Sequence, residues 1–178
     1  MKKQTFQTIF IFAHFCLMMI VFGGAIMETF INFPNWFHNI PTSLDAAKNF
    51  LQARNPGQFF QTIYPLAILT GIAFVILGWK IKTARNFILA AIVLSVGLEV
   101  ITFAFIYPLL RIMIVDGLAV HSVDVLKQTA QQFTTLNYIR MFFFFIAEML
   151  SLIGLWKFTQ HTANRAIQQV VIQAERSV

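Results

Sequence analysis

Residues 94–110 read LSVGLEVITFAFIYPLL, and the fold follows from how this stretch is understood. It is almost wholly apolar, with one carboxylate, Glu99, near its middle. A helix needs roughly 20 mostly apolar residues to cross a bilayer, and the flanking sequence extends the run to that length. Glu99 would then lie deep in hydrocarbon. An unpaired charge is costly there, so the residue must face protein, a cavity or a partner.

The rest of the chain agrees with a membrane setting. The protein has 178 residues, of which 58% are hydrophobic and only 11% charged. Soluble domains carry about 25% charged residues. The mean hydropathy is +0.71. Four runs are long enough to span, near 6–30, 59–79, 87–110 and 138–156, and the length suits one integral membrane domain. The predicted fold is all-α: a four-span bundle with two short external amphipathic helical segments. The first span is read as retained rather than as a cleaved leader, because its apolar run continues past Gly23-Gly24 to Ile31.

The net charge of +6 is spread over the ends of the apolar runs, so it implies anionic lipid headgroups rather than nucleic acid as neighbours. Placing Lys2, Lys3, Lys80, Lys82, Arg85, Lys157, Arg165 and Arg176 inside leaves Lys48, Arg54, Arg111, Lys127 and Arg140 outside. That asymmetry predicts cytoplasmic termini, as in a bacterial inner-membrane protein. The single cysteine, Cys16, excludes an intrachain disulfide and any multi-cysteine metal site.

Both external loops carry helical signals. In the first, Thr42 or Ser43 is a candidate cap and Leu44, Ala47 and Leu51 share a face. Asn55-Pro56-Gly57 is the expected stop, giving a helix over 43–54. In the second, Val123, Leu126, Ala130 and Phe133 form an amphipathic pattern. Both segments are expected to lie over the outer end as lids, with Trp36 at the interface.

The polar residues inside the spans are the candidates for chemistry. Ser95, Glu99 and Thr102 fall within about 60° on one helix face. Glu148, with Ser151 nearby, and His14 are the other intramembrane polar groups. Counted from the span ends, His14, Glu99 and Glu148 lie within roughly 8 Å of one another in depth, so a cluster is geometrically allowed. These three are the candidate proton acceptors, set against a reading in which they only hydrogen-bond helices together. No metal-ligand spacing is present and no cofactor motif is evident. At the outer end Glu28, Trp36, Arg111 and Arg140 are candidate ligand-binding residues, with Glu28 able to pair with either arginine and Arg offering a fixed fork of donors to an anion or phenolate. Tyr64-Pro65 and Tyr107-Pro108 are sites where a helix can bend around a cavity. The 21 phenylalanines supply more apolar surface than any pocket needs.

The loop NFPNWFHNIPTSLDAAKNFLQARNPGQFF (32–60), followed by ITFAFIYPLLR (101–111), resembles the small four-helix membrane family that takes in the fungal anthrone oxygenases. The similarity runs roughly from Ile20 to Leu155. It implies oxidation of an anthrone-like phenol by dioxygen without a bound cofactor. Glu99, Glu148 and His14 would be the candidate bases and Arg111 the oxyanion holder. The alternative is a non-catalytic membrane subunit, structural or carrier. Substrate and oligomeric state stay open.

Overall fold

In the computed structural model, which describes residues 2–176, the chain is helical nearly throughout. Helix α1 (Lys2–Met27) passes through a π-helical turn (Glu28–Asn32) into a short α2 (Phe33–Phe37). Helix α3 (Thr42–Phe50) lies in the first long loop, and α4 (Pro56–Leu77) follows. Helix α5 (Lys82–Ile101) continues through a second π-helical turn (Thr102–Ile106), a short α6 (Tyr107–Leu110) and a third wide turn (Arg111–Asp116). Helix α7 (Val123–Arg176) is unbroken.

Four helical stretches are long and apolar enough to cross a membrane: Lys3–Phe37, Pro56–Leu77, Lys82–Ala119 and Val123–Arg176. Around the molecule α1 packs on α4 and α7, and α5 packs on α7 and α4, so the four helices close on one another. Apolar side chains such as Leu69, Ile76, Val93 and Phe142 point outward, more than half exposed. An aqueous surface would not tolerate so continuous an apolar belt, and a bilayer covers it. The chain is a multi-pass membrane protein.

The core has three layers along the helices. Ile11, Phe74, Ile88 and Phe158 fill the end that carries the termini. Met18, Tyr64, Leu98, Phe144 and Ala147 fill the middle. Phe33, Leu44, Ile106, Met113, Leu126 and Phe133 fill the loop end. Phe133 stands edge-on to Phe33 with ring centroids 4.8 Å apart, a geometry that adds about 0.5–1.5 kcal/mol to simple burial. Only Phe144 of the run Phe142–Phe145 is buried; the other three face outward.

Two of the three π-helical turns at the loop end share a cause. Pro34 and Pro108 each follow one of them. A proline lacks the N–H for the normal helical bond, and its ring collides with the carbonyl four residues back. Those carbonyls belong to Phe30 and Ala104, in the middle of the wide turns. Widening the turn relieves the collision, and Glu28 and Thr102, which open the two turns, are buried. Pro65, by contrast, sits inside α4, which runs on through it.

Several local expectations change. Helix α3 ends at Phe50, not Arg54, and neither Thr42 nor Ser43 caps it: Pro41 occupies the cap position. The Ser43 hydroxyl donates to the Trp36 carbonyl at 2.6 Å instead, tying the loop to α2. Asn55-Pro56-Gly57 is a start signal for α4. Asn55 accepts from Gln58 N, Gln58 reaches back to Asn55 N, and Pro56 fills the first turn. The second amphipathic segment is helical, with Leu126, Ala130 and Phe133 buried, but it is the first part of α7. No proline or glycine separates it from the span, so nothing stops the helix. At 54 residues α7 is about 80 Å long, well beyond a hydrocarbon core of about 30 Å.

Candidate functional site

A cavity of about 370 Å³ opens at the loop end between α1–α2, α4, α5–α6 and α7, with α3 over it. Its position follows from the wide turns, which splay α1 and α5 at the depth where Glu28 and Thr102 sit. The walls are apolar and aromatic: Phe33, Trp36, Phe60, Ile106, Phe133 and Phe144. Into this enclosure project Glu28, Glu99 and Arg140, with Lys48 and Arg111 further out.

Each charged group has a particular setting. Glu28 is 7% exposed. Its Oε1 accepts from Asn32 Nδ2 at 2.6 Å, one helical turn on, while its Oε2 is buried and has no hydrogen-bond partner. Arg140 donates through Nη2 to Asn137 Oδ1 at 2.6 Å and through Nη1 to Thr102 Oγ1 at 3.4 Å. Its guanidinium lies over the Phe144 ring, 5.9 Å from the centroid. Arg140 is within electrostatic reach of Glu99, Glu28, Tyr64 and Tyr107. No hydrogen bond among the described residues reaches the carboxylate of Glu99, which is half-buried beside the fully enclosed Ser95 and Leu98. Tyr107, on the kinked helix, accepts from Gln61 Nε2 at 3.1 Å.

All four residues singled out for ligand contact, Glu28, Trp36, Arg111 and Arg140, line this one cavity, and so does Glu99. The expected pairing of Glu28 with an arginine does not form. Asn32 is closer along the same turn and takes Oε1, and Arg111 lies near Asp116, with Nε 3.8 Å from Oδ1.

The cluster of His14, Glu99 and Glu148 that their depths allowed does not form. No group of three His, Cys, Asp or Glu side chains gathers among the described residues. Arg140 stands near Glu99, and Glu148 lies eight residues further along α7, about 12 Å deeper. Depth counted from a cytoplasmic span end at Trp156 misplaces it, because α7 runs on to Arg176. His14 is wholly buried; its Nδ1 donates to the Ala67 carbonyl at 2.7 Å, and its Nε2 accepts from Ser151 Oγ at 3.1 Å. Gly71 makes room for it: a Cβ there would come within 2.8 Å of Nδ1. That bonding ties α1, α4 and α7 together, the structural reading of this histidine. Glu148 is 1% exposed with both oxygens unpartnered, in a separate place away from the cavity.

Sequence reasoning did not single out Asn32, Gln61 or Phe144 as part of a site. Pro34 and Pro108 were the available signal, since each marks a widened turn one step before it. Comparison with known protein families, curated proteins and solved structures finds no match for this chain.

Proposed function

We propose that this protein binds a small hydroxylated aromatic molecule in the loop-end cavity, ring among the phenylalanines and hydroxyl at the carboxylates. The carrying observation is Glu28: it lines an aromatic enclosure, and its Oε2 is a buried acceptor without a donor. A buried acceptor left unmade costs about 1–3 kcal/mol, and a ligand hydroxyl recovers it. Glu99, also without a hydrogen bond, offers a second acceptor. Arg140 balances part of the two negative charges; Asn137, one turn back on α7, positions its guanidinium, which also approaches Thr102 across the bundle. The cavity faces the external side if the termini are cytoplasmic, as the distribution of Lys and Arg favours.

A cofactor-free oxygenase is the catalytic form of this reading. Glu99 or Glu28 would take a proton from an anthrone-like substrate, giving the electron-rich anion that dioxygen attacks. The methylene would become a carbonyl, with one oxygen atom retained in the product quinone and the other leaving as water. The resemblance to the anthrone oxygenase family and the unpartnered carboxylates support it. The non-catalytic form is a carrier that uses the same contacts without turnover.

Trp36 lines the cavity, whereas Trp79 and Trp156 are exposed. With Trp79 and Trp156 replaced by Phe, Trp36 emission reports occupancy. Titration with 2-naphthol should give a saturable change, and 2-methoxynaphthalene, which lacks the donor, should bind at least about fivefold more weakly. Equal affinity for both would remove the hydroxyl-to-carboxylate contact. Release of anthraquinone from anthrone, faster than in a Glu28→Gln/Glu99→Gln variant, would mark the catalytic form.

A further inference from the structure

We infer that the ligand of this cavity is two-ended: an aromatic molecule with a hydroxyl at its inner end and an anionic group, such as a carboxylate, at its outer end. The inference rests on the reading above and adds the chemistry of the far end.

The charges of the cavity are sorted by depth. Glu28, Glu99 and Arg140 lie at the inner end, where carboxylates outnumber the cation. Lys48, on α3, and Arg111, beyond the Pro108 kink, line the outer part, and no carboxylate lines it with them. Lys48 makes no ion pair among the described residues. Arg111 has a side chain 75% exposed and touches only Asp116, at 3.8 Å. Lys48 is therefore available to a ligand, and exposed Arg111, only loosely paired with Asp116, can turn to one.

Glu99 and Arg111 are twelve residues apart along one helical path. That is about 18 Å at the usual rise, shortened somewhat by the wide turn between them. The long Lys and Arg side chains cover part of that distance. Ile106 and Phe133 line the intervening wall. A fused-ring body with poles on the order of 10 Å apart fits between inner acceptors and outer donors.

The sorting also fixes direction. An anion carried inward would meet Glu28 Oε2, buried without a donor, and Glu99 as well. Carried outward it meets two cations in a setting open to water. A neutral phenol satisfies only the inner half.

The test uses three probes on the protein with Trp36 as its only tryptophan, in nanodiscs: 2-naphthol, 6-hydroxy-2-naphthoate and 6-methoxy-2-naphthoate. At low salt, 6-hydroxy-2-naphthoate should bind about five- to tenfold more tightly than 2-naphthol. The methoxy acid should fall below the hydroxy acid, showing that the hydroxyl end is still used. In a Lys48→Gln/Arg111→Gln variant, confirmed folded by its melting curve, the ratio between hydroxy acid and naphthol should collapse toward one. It should collapse likewise in the parent protein at on the order of 0.5 M salt. Naphthol binding with no gain for the hydroxy acid, or a gain that survives the double substitution, overturns the two-ended ligand while leaving the phenol site standing. Absence of binding by any probe removes the phenol site and this inference together.

Discussion

Replacing Arg140 by glutamine removes the one cation at the inner end of the cavity. Its 2.6 Å bond to Asn137 Oδ1 is charge-assisted and short, a class worth about 1.5–3 kcal/mol. The 3.4 Å contact with Thr102 Oγ1 is at the edge of bonding and adds little. The guanidinium over Phe144 at 5.9 Å contributes about 0.5–1 kcal/mol. Arg140→Gln should thus cost about 2–4 kcal/mol. For a chain of this length 1 kcal/mol moves the melting temperature by about 2–4 °C, so the drop should be about 4–16 °C. Thermal unfolding of the detergent-solubilised protein, followed by loss of helical circular dichroism, reads it. The same experiment on Arg140→Gln/Glu99→Gln tests the electrostatic part. Removing the negative charge that Arg140 faces should return about 0.5–3 kcal/mol, giving a double variant more stable than the two single effects predict. Strict additivity, or a single variant that melts with the parent, would refute the view that Arg140 balances the charge of these carboxylates.

Gly71→Ala places a Cβ 2.8 Å from His14 Nδ1 and 3.0 Å from Ile92 Cδ1; overpacking and a disturbed His14–Ala67 bond should lower stability by about 2–4 kcal/mol, measurable as a melting shift that His14→Ala in the same chain largely relieves. Glu148→Met should leave stability unchanged or raise it, because both Glu148 oxygens are buried without a partner and a well-packed apolar side chain removes that burden; a melting drop above about 5 °C would show that the acid is held by a bond. A reporter fused after Val178 should be active in the cytoplasm only, and activity solely in the external compartment would reverse the orientation.

The span count and the inward face of Ser95 and Thr102 were legible because helical periodicity and hydropathy are local properties of the chain. So was the choice of Glu28, Trp36, Arg111 and Arg140 as neighbours, since each stands near the same end of its helix. Three things were not legible. The depth of Glu148 was counted from the cytoplasmic end of the apolar run, and α7 has no end there but runs on to Arg176. The register beyond the wide turns at Pro34 and Pro108 differs from a uniform 100° per residue, which misses those turns. The role of Asn55 is ambiguous in sequence, because a cap for one helix and a stop for the helix before it use the same residues; only the reciprocal bonds with Gln58 decide.

The most direct test of the cavity as a phenol site is an experimental structure with 6-bromo-2-naphthol, located by the anomalous signal of bromine. The account predicts one strong peak between Phe33, Ile106 and Phe133, with the hydroxyl oxygen about 2.5–3.0 Å from a carboxylate oxygen of Glu28 or Glu99. Bromine found only on the lipid-facing surface, or a hydroxyl turned out toward Lys48 and Arg111, would contradict it.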